Sequence, residues 1–220
     1  MNVFDILGPV MIGPSSSHTA GAARLGRVTR ALLGTEPVQA EIRLHGSFAK
    51  TYKGHGTDRA LVAGILGMET DDPGLRNALE TARERGLEVT FKTVELDGAH
   101  PNTAWILLTD AAGDQVSLIG SSIGGGNILV TKLNGMDVYF TGEKETLIVR
   151  HQDVPGIIAS VTEVAALAGA NISNFRLSRK EKGGEAVMTI ELDGSFGPDL
   201  ALAVRHLPHI YSSILLMPVS

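Results

Sequence analysis

The sequence predicts an α+β protein in two parts. Residues 1–143 should form a domain with a mixed or antiparallel sheet and two to three helices, and residues 144–220 a ferredoxin-like βαββαβ unit. Three observations lead there. Apolar and polar residues alternate with period two through many short runs, and elsewhere apolar residues recur at helical spacing. A glycine within a short charge cluster, Thr141-Gly142-Glu143-Lys144-Glu145, separates two strand-like segments.

The second part reads in order. Thr146–Arg150 is a β-rich run, and Asp153-Val154-Pro155-Gly156 turns the chain. Ile157, Ile158, Val161, Val164, Ala165 and Ala168 then keep helical spacing, with Gly169 as a stop. Ile172–Arg179 is strand-like, and Lys182-Gly183-Gly184 marks a turn. Ala186, Met188, Ile190 and Leu192 alternate with Val187, Thr189 and Glu191, the period of a half-buried strand. Pro198 suits the first turn of a helix through Leu200, Ala203 and Val204, and Ile210–Leu216 closes the unit as a strand.

In the first part, Thr19–Leu33 presents Leu25, Val28 and Leu32 on one helical face and Arg24, Arg27 and Arg30 on another. Val38–Leu44 alternates as a strand with its apolar side inward. Thr57-Asp58 can cap a helix carrying Leu61, Val62, Ile65 and Leu66, and a further helix is expected over Pro73–Arg85. Strands are expected at Glu88–Leu96, Thr103–Thr109, Gln115–Gly120, Ile128–Leu133 and Met136–Phe140, with Trp105 in the core.

Composition narrows the function. The chain has 220 residues, 43% of them hydrophobic, enough for a substantial core. A net charge of −5 argues against nucleic acid or an acidic membrane surface as the main partner. No run of about 20 apolar residues exists to cross a bilayer, and no basic segment precedes the short apolar start, so a cytoplasmic protein is expected. There is no cysteine, which excludes thiol catalysis, Cys-ligated zinc and an iron–sulfur cluster held by this chain's own thiolates.

Four clusters could carry chemistry. Gly13-Pro14-Ser15-Ser16-Ser17-His18-Thr19 precedes the Arg-bearing helix, where hydroxyls and free N–H groups can hold a carboxylate and a histidine can move protons. N-capping alone would need just one of those hydroxyls. His45-Gly46-Ser47-Phe48-Ala49-Lys50-Thr51, with His55-Gly56-Thr57-Asp58 close behind, reads as a glycine-punctuated loop between a strand end and a helix start. Its histidines and Asp58 lack a recognisable metal-ligand spacing, so no metal site is expected. His100-Pro101-Asn102 is a turn that needs no function by itself. Gly120-Ser121-Ser122-Ile123-Gly124-Gly125-Gly126-Asn127 resembles a phosphate cradle of the kind pyridoxal phosphate enzymes use, but Ile128–Lys132 beyond it has the character of a strand, not a helix. A ligand-lining turn or a plain hairpin is the better expectation. His151, His206 and His209 are read as surface or packing residues.

Taken together, the Gly13–Thr19 segment, the His45-Gly-Ser and Gly54–Asp58 segments, His100-Pro-Asn102 and Ser122–Gly126 resemble the β portion of iron–sulfur-dependent L-serine dehydratases. Residues 144–220 resemble an ACT domain, a small amino-acid-sensing module. The β portion is also similar to a domain of phosphoglycerate dehydrogenases that binds serine or an anion allosterically. The resemblance implies the β subunit of a two-chain enzyme that converts L-serine to pyruvate and ammonia. It implies that a partner α subunit holds a 4Fe-4S cluster acting as Lewis acid on the hydroxyl, and that this chain is inert alone. Ser16, Ser17 and His18 become candidate catalytic residues. Ser15, Thr19, His45, Ser47, Lys50, His55, Asp58, His100 and Asn102 become candidates for binding L-serine or another small amino acid. His18, His45, His55 and His100 all remain eligible as the base. Asp153, Gly156, Asn171 and Ile172 become candidate effector-binding residues, and a homodimer through the ACT or the N-terminal domain is implied. A stand-alone amino-acid-binding regulator without a catalytic partner is the alternative.

Overall fold

A computed structural model describes residues 18–218. These divide into two compact units, 18–134 and Gly135–Pro218. Each is an α+β structure, as the patterns predict.

In the first unit, helix α1 (Ala20–Leu33) leads into strand β1 (Pro37–Leu44). Helices α2 (Gly46–His55) and α3 (Thr57–Ile65) come next, then a 3₁₀ turn at Pro73–Asn77 and helix α4 (Ala78–Glu84). Strands β2 (Glu88–Thr93), β3 (Thr103–Asp110), β4 (Gln115–Gly124) and β5 (Asn127–Leu133) complete it. They lie in the order β2-β1-β3-β4-β5, with β1 and β2 parallel and the other pairs antiparallel. The sheet is therefore mixed. Ala40, Ile42 and Leu44 of β1 and Ala104, Ile106 and Leu108 of β3 are buried on one face, as their alternation requires. Helix α1 packs against β3, β4 and β5, and α3 packs on α1. The two helices cross at glycine: a Cβ on Gly64 would lie 2.0 Å from the Ala23 carbonyl oxygen. Only a residue without a side chain fits there.

Four expectations for this unit change. The segment after His45 is not a loop but helix α2, so the described part of the unit has four α-helices rather than two or three. Phe48 is fully buried and Tyr52, one turn on, stacks on Phe91 of β2, so packing of an apolar side makes this stretch helical. Thr57 and Asp58 do not cap α3; Gly56 is the N-cap, and both residues lie in the first turn. The expected helix from Pro73 begins as a 3₁₀ turn, where the Asp72 carboxylate accepts a hydrogen bond from the Gly74 N–H at 2.7 Å. Trp105 is not core. It lies half-buried on the sheet face away from the helices, under the Arg43 guanidinium at 4.2 Å, and donates from Nε1 to Ser117 Oγ at 2.8 Å. The glycine-rich run extends β4 to Gly124 and turns through Gly125-Gly126 into β5, with no helix after it. That geometry is a hairpin and not a phosphate cradle.

The second unit begins with strand β6 (Met136–Phe140) and continues as β7 (Glu145–Gln152), α5 (Ile157–Leu167), β8 (Asn171–Arg179), β9 (Glu185–Asp193), α6 (Asp199–Arg205) and β10 (Ile210–Leu216). The last six elements form an antiparallel sheet in the order β10-β7-β9-β8 with two helices, a ferredoxin-like unit. Leu147, Val149, Met188, Ile190 and Leu192 meet Ile157, Val161, Leu200 and Val204 of the two helices in its core. The alternation in β9 predicts a half-buried strand, yet residues Ala186 to Glu191 are buried on both faces. Strand β6 packs over β8 and β9 on the side away from the helices, and the Thr141 N–H donates to the Glu191 carboxylate. Among the described residues no helix is long and apolar enough to cross a membrane.

Candidate functional site

The site grows from the start of α2. Gly46 stands just past the end of β1 at φ +58°, and this bend lets the helix begin against the turn that precedes β3. The Pro101 carbonyl accepts hydrogen bonds from the N–H groups of Ser47 (2.7 Å) and Phe48 (3.3 Å) and so caps α2 from another segment. The His45 N–H donates to the Thr103 carbonyl, and the Ser122 N–H to the Asn102 carbonyl. Ser122 in turn sits against Gly21 of α1. Four sequence clusters, separated by up to a hundred residues, are thereby joined.

His18 lies at the centre. Its side chain is buried at the entry to α1, edge-on to Phe48 (ring centroids 5.3 Å apart) and to His55 (4.7 Å). Its Nε2 is 3.2 Å from Thr51 Oγ1. The Thr51 hydroxyl donates its one proton to the Ser47 carbonyl at 2.8 Å, so the His18 Nε2–H must be the donor to Thr51 Oγ1. In the neutral ring Nδ1 then carries the lone pair. Burial, and secondarily the charge of His55, hold the His18 pKa below the ordinary histidine value. At neutral pH the ring is therefore uncharged, the state a general base requires.

Three buried hydroxyls nearby in the fold have no hydrogen-bond partner among the described residues: Thr19 before α1, Thr57 in the first turn of α3, and Ser122. An unsatisfied buried hydroxyl is costly, about 1–3 kcal/mol each, and a polar ligand or water would relieve it.

Of the expected site residues, His18, Ser47 and His55 come together around Thr51. The carbonyl of Pro101, between His100 and Asn102, abuts them at the α2 start. Ser15, Ser16 and Ser17 lie outside the described residues. His45 packs inward: its Nδ1 accepts from the Leu96 N–H at 3.2 Å. The exposed His100 accepts from the Asn102 N–H at 3.1 Å. Lys50 is on the exposed flank of α2, and Asp58 is buried with its Oδ1 accepting from the Arg59 N–H. Thr51 and Phe48 were not among the expected site residues. The signal for them is helical: Thr51 stands four residues after Ser47, and Phe48 on the adjoining face.

In the second unit, Gly156 is the left-handed N-cap of α5 at φ +88°. Asp153 accepts from the Gly183 N–H (3.1 Å) and pairs with Arg179 (2.7 Å), and these hold its carboxyl below the usual range. The Asn171 amide donates to Asp193, itself paired with Lys144, while Ile172 is half-buried against the core. His151 is fully buried, whereas His206 and His209 are exposed.

The described residues thus hold a neutral histidine among hydroxyls in an α+β unit, and a ferredoxin-like unit follows it in the chain. Comparison with known proteins makes this specific. The family model for the serine dehydratase beta chain matches residues 2–88. The chain is 44% identical over 209 residues to the "Probable L-serine dehydratase, beta chain" of Bacillus subtilis (strain 168), covering 95% of this chain and 94% of that protein. It is 38% identical over 204 residues to the L-serine dehydratase beta chain of Peptoniphilus asaccharolyticus, covering 92% of each. It is also 28% identical over 181 residues to a D-3-phosphoglycerate dehydrogenase of Bacillus subtilis (strain 168), covering 80% of this chain but 34% of that protein. The chain belongs to the family of L-serine dehydratase beta chains.

Proposed function

We propose that this chain, with a cluster-bearing α subunit in the cytoplasm, converts L-serine to pyruvate and ammonia, and that His18 removes the α-proton. The observation that carries the reading is the buried His18 ring, kept neutral and aimed by the Thr51–Ser47 hydrogen bonds at the start of α2. Loss of the α-proton and the β-hydroxyl gives aminoacrylate, which water converts to pyruvate and ammonia. The unsatisfied hydroxyls of Thr19 and Ser122, with Ser47 and His55, are suited to hold a small zwitterion beside His18. Ser15, Ser16 and Ser17, which precede His18 in sequence, would bind the substrate carboxylate.

The residues present do not fit an iron–sulfur cluster as a resident group. The chain has no cysteine, and among the described residues no three His, Asp or Glu side chains converge as metal ligands. In the proposed assembly the 4Fe-4S cluster is held by the α subunit, and the β chain alone should be inert. The ferredoxin-like unit is proposed to act as an ACT-type amino-acid sensor and to support a homodimer. Since Asp153 and Asn171 are already paired, Gly156 and the α5 N–H groups would carry its ligand contacts. No observation favours a stand-alone regulator.

The test is to purify the chain with and without its α partner under anaerobic conditions and measure pyruvate formed from L-serine. Activity requiring both chains is expected; activity of either chain alone, or none in the complex, would overturn the proposal.

A further inference from the structure

Helix α2 also borders a cavity. It has a volume of about 550 Å³ and lies between α2, α4 and β2. None of His18, Ser47, Thr51 or His55 lines it. Leu79, Leu87 and Phe91 form an apolar wall, and Tyr52 stacks on Phe91 with ring centroids 5.6 Å apart and planes at 25°. Two cations reach it, Lys53 from α2 and Arg83 from α4.

Elsewhere in the chain Arg27, Arg30, Arg43, Arg150 and Arg179 each pair with a carboxylate. Lys53 contacts the Tyr52 ring, at 5.8 Å, and among the described residues neither Lys53 nor Arg83 has a carboxylate partner. The opposite charge is also present. Two carboxylates line the same cavity, the exposed Glu88 and Asp58, which is 8% exposed and whose hydrogen bond from the Arg59 N–H uses Oδ1. Carboxylates and cations lining one cavity with an aromatic and aliphatic wall supply the three parts that complement a free α-amino acid: ammonium on the buried Asp58, carboxylate on Arg83 and Lys53, side chain on the wall.

We propose that this cavity binds an α-amino acid with a large apolar or aromatic side chain, at a site separate from the one around His18. Size excludes serine as the preferred ligand, since a hydroxymethyl group would leave the Tyr52–Phe91–Leu87 wall uncovered. A bare anion such as phosphate would leave Asp58 facing it with like charge. Helix α2 belongs to both sites, because Thr51 touches His18 while the next two residues line the cavity. Occupation therefore alters serine turnover; this second half rests on the proposed function, and the binding half does not.

The experiment is calorimetric titration of the full chain with L-phenylalanine, with L-serine and inorganic phosphate as comparisons. Saturable L-phenylalanine binding is expected, at least tenfold tighter than L-serine. Arg83→Gln should weaken it about tenfold, and Leu79→Trp, which fills the cavity, should abolish it. His18→Ala should leave it unchanged, which separates this site from the proposed serine site. Absence of saturable L-phenylalanine binding, equal binding by the Arg83 and Leu79 variants, or binding of phosphate in its place would overturn the assignment. In the α–β complex, L-phenylalanine should change the KM for serine at least threefold, and Arg83→Gln should remove the change. An unchanged KM despite saturable binding would overturn the regulatory half.

Discussion

The start of α2 offers a quantitative test of how the fold builds the site. Gly46→Ala places a Cβ 2.6 Å from the Pro101 carbonyl oxygen and 2.8 Å from the Pro101 Cα, at a φ of +58°. An L side chain at that φ costs about 1–2 kcal/mol. Relieving the clash means moving the Pro101 carbonyl off the Ser47 and Phe48 N–H groups, at about 1 kcal/mol per lost bond. The sum is about 3–4 kcal/mol. For the 220-residue chain unfolding as one that lowers the melting temperature by roughly 6–16 °C. Gly54→Ala, in the last turn of the same helix, is the control: nothing lies within 4 Å of its Cβ, and it should be neutral or stabilising by up to about 1 kcal/mol. Urea titration monitored by circular dichroism measures both. A cost below about 1 kcal/mol for Gly46→Ala, or equivalence of the two variants, would refute this view of the α2 start.

The same geometry sets further outcomes. Thr51→Val keeps the shape of the side chain but removes the acceptor for His18 Nε2–H, and should lower kcat of the α–β complex about tenfold with little change in KM. Because the His18 pKa is depressed, the native state binds fewer protons than the unfolded chain below the ordinary histidine value of about 6.5. Its contribution to stability is thus complete above about pH 6.5 and is lost as pH falls toward the native value. The slope of stability against pH should flatten in His18→Gln. The acid limb of kcat/KM should likewise lie below about pH 6.5. Gly64→Ala would drive a Cβ to 2.0 Å from the Ala23 carbonyl oxygen, where both atoms belong to packed helices, and should destabilise by several kcal/mol in the same urea assay.

Where one periodicity dominates, the sequence was sufficient. The alternation in β1, β3 and β7–β10 and the helical spacing in α1 and α5 located these elements to within a few residues. Helix α2 was hidden because Gly46, Gly54 and Gly56 resemble loop punctuation, and its helicity depends on Phe48 and Tyr52 finding partners from distant strands. The burial of both faces of β9 was hidden for a similar reason, since β6 comes from before the apparent boundary. In the site, the chemistry-bearing types were legible and their grouping was not. Nothing local says that the Pro101 carbonyl caps α2, or that Thr51 orients His18. Asp58 stands three residues from His55 in sequence, yet it lines a cavity that His55 does not.

The central claim is that this β chain supplies the base of the serine reaction through His18. The direct measurement is steady-state conversion of L-serine to pyruvate by anaerobically assembled α–β complex carrying His18→Asn, with co-elution of the two chains recorded on the same sample. An intact complex whose kcat falls by about 10²–10⁴ is predicted. A complex that assembles normally and turns over serine at the unmodified rate would contradict the claim.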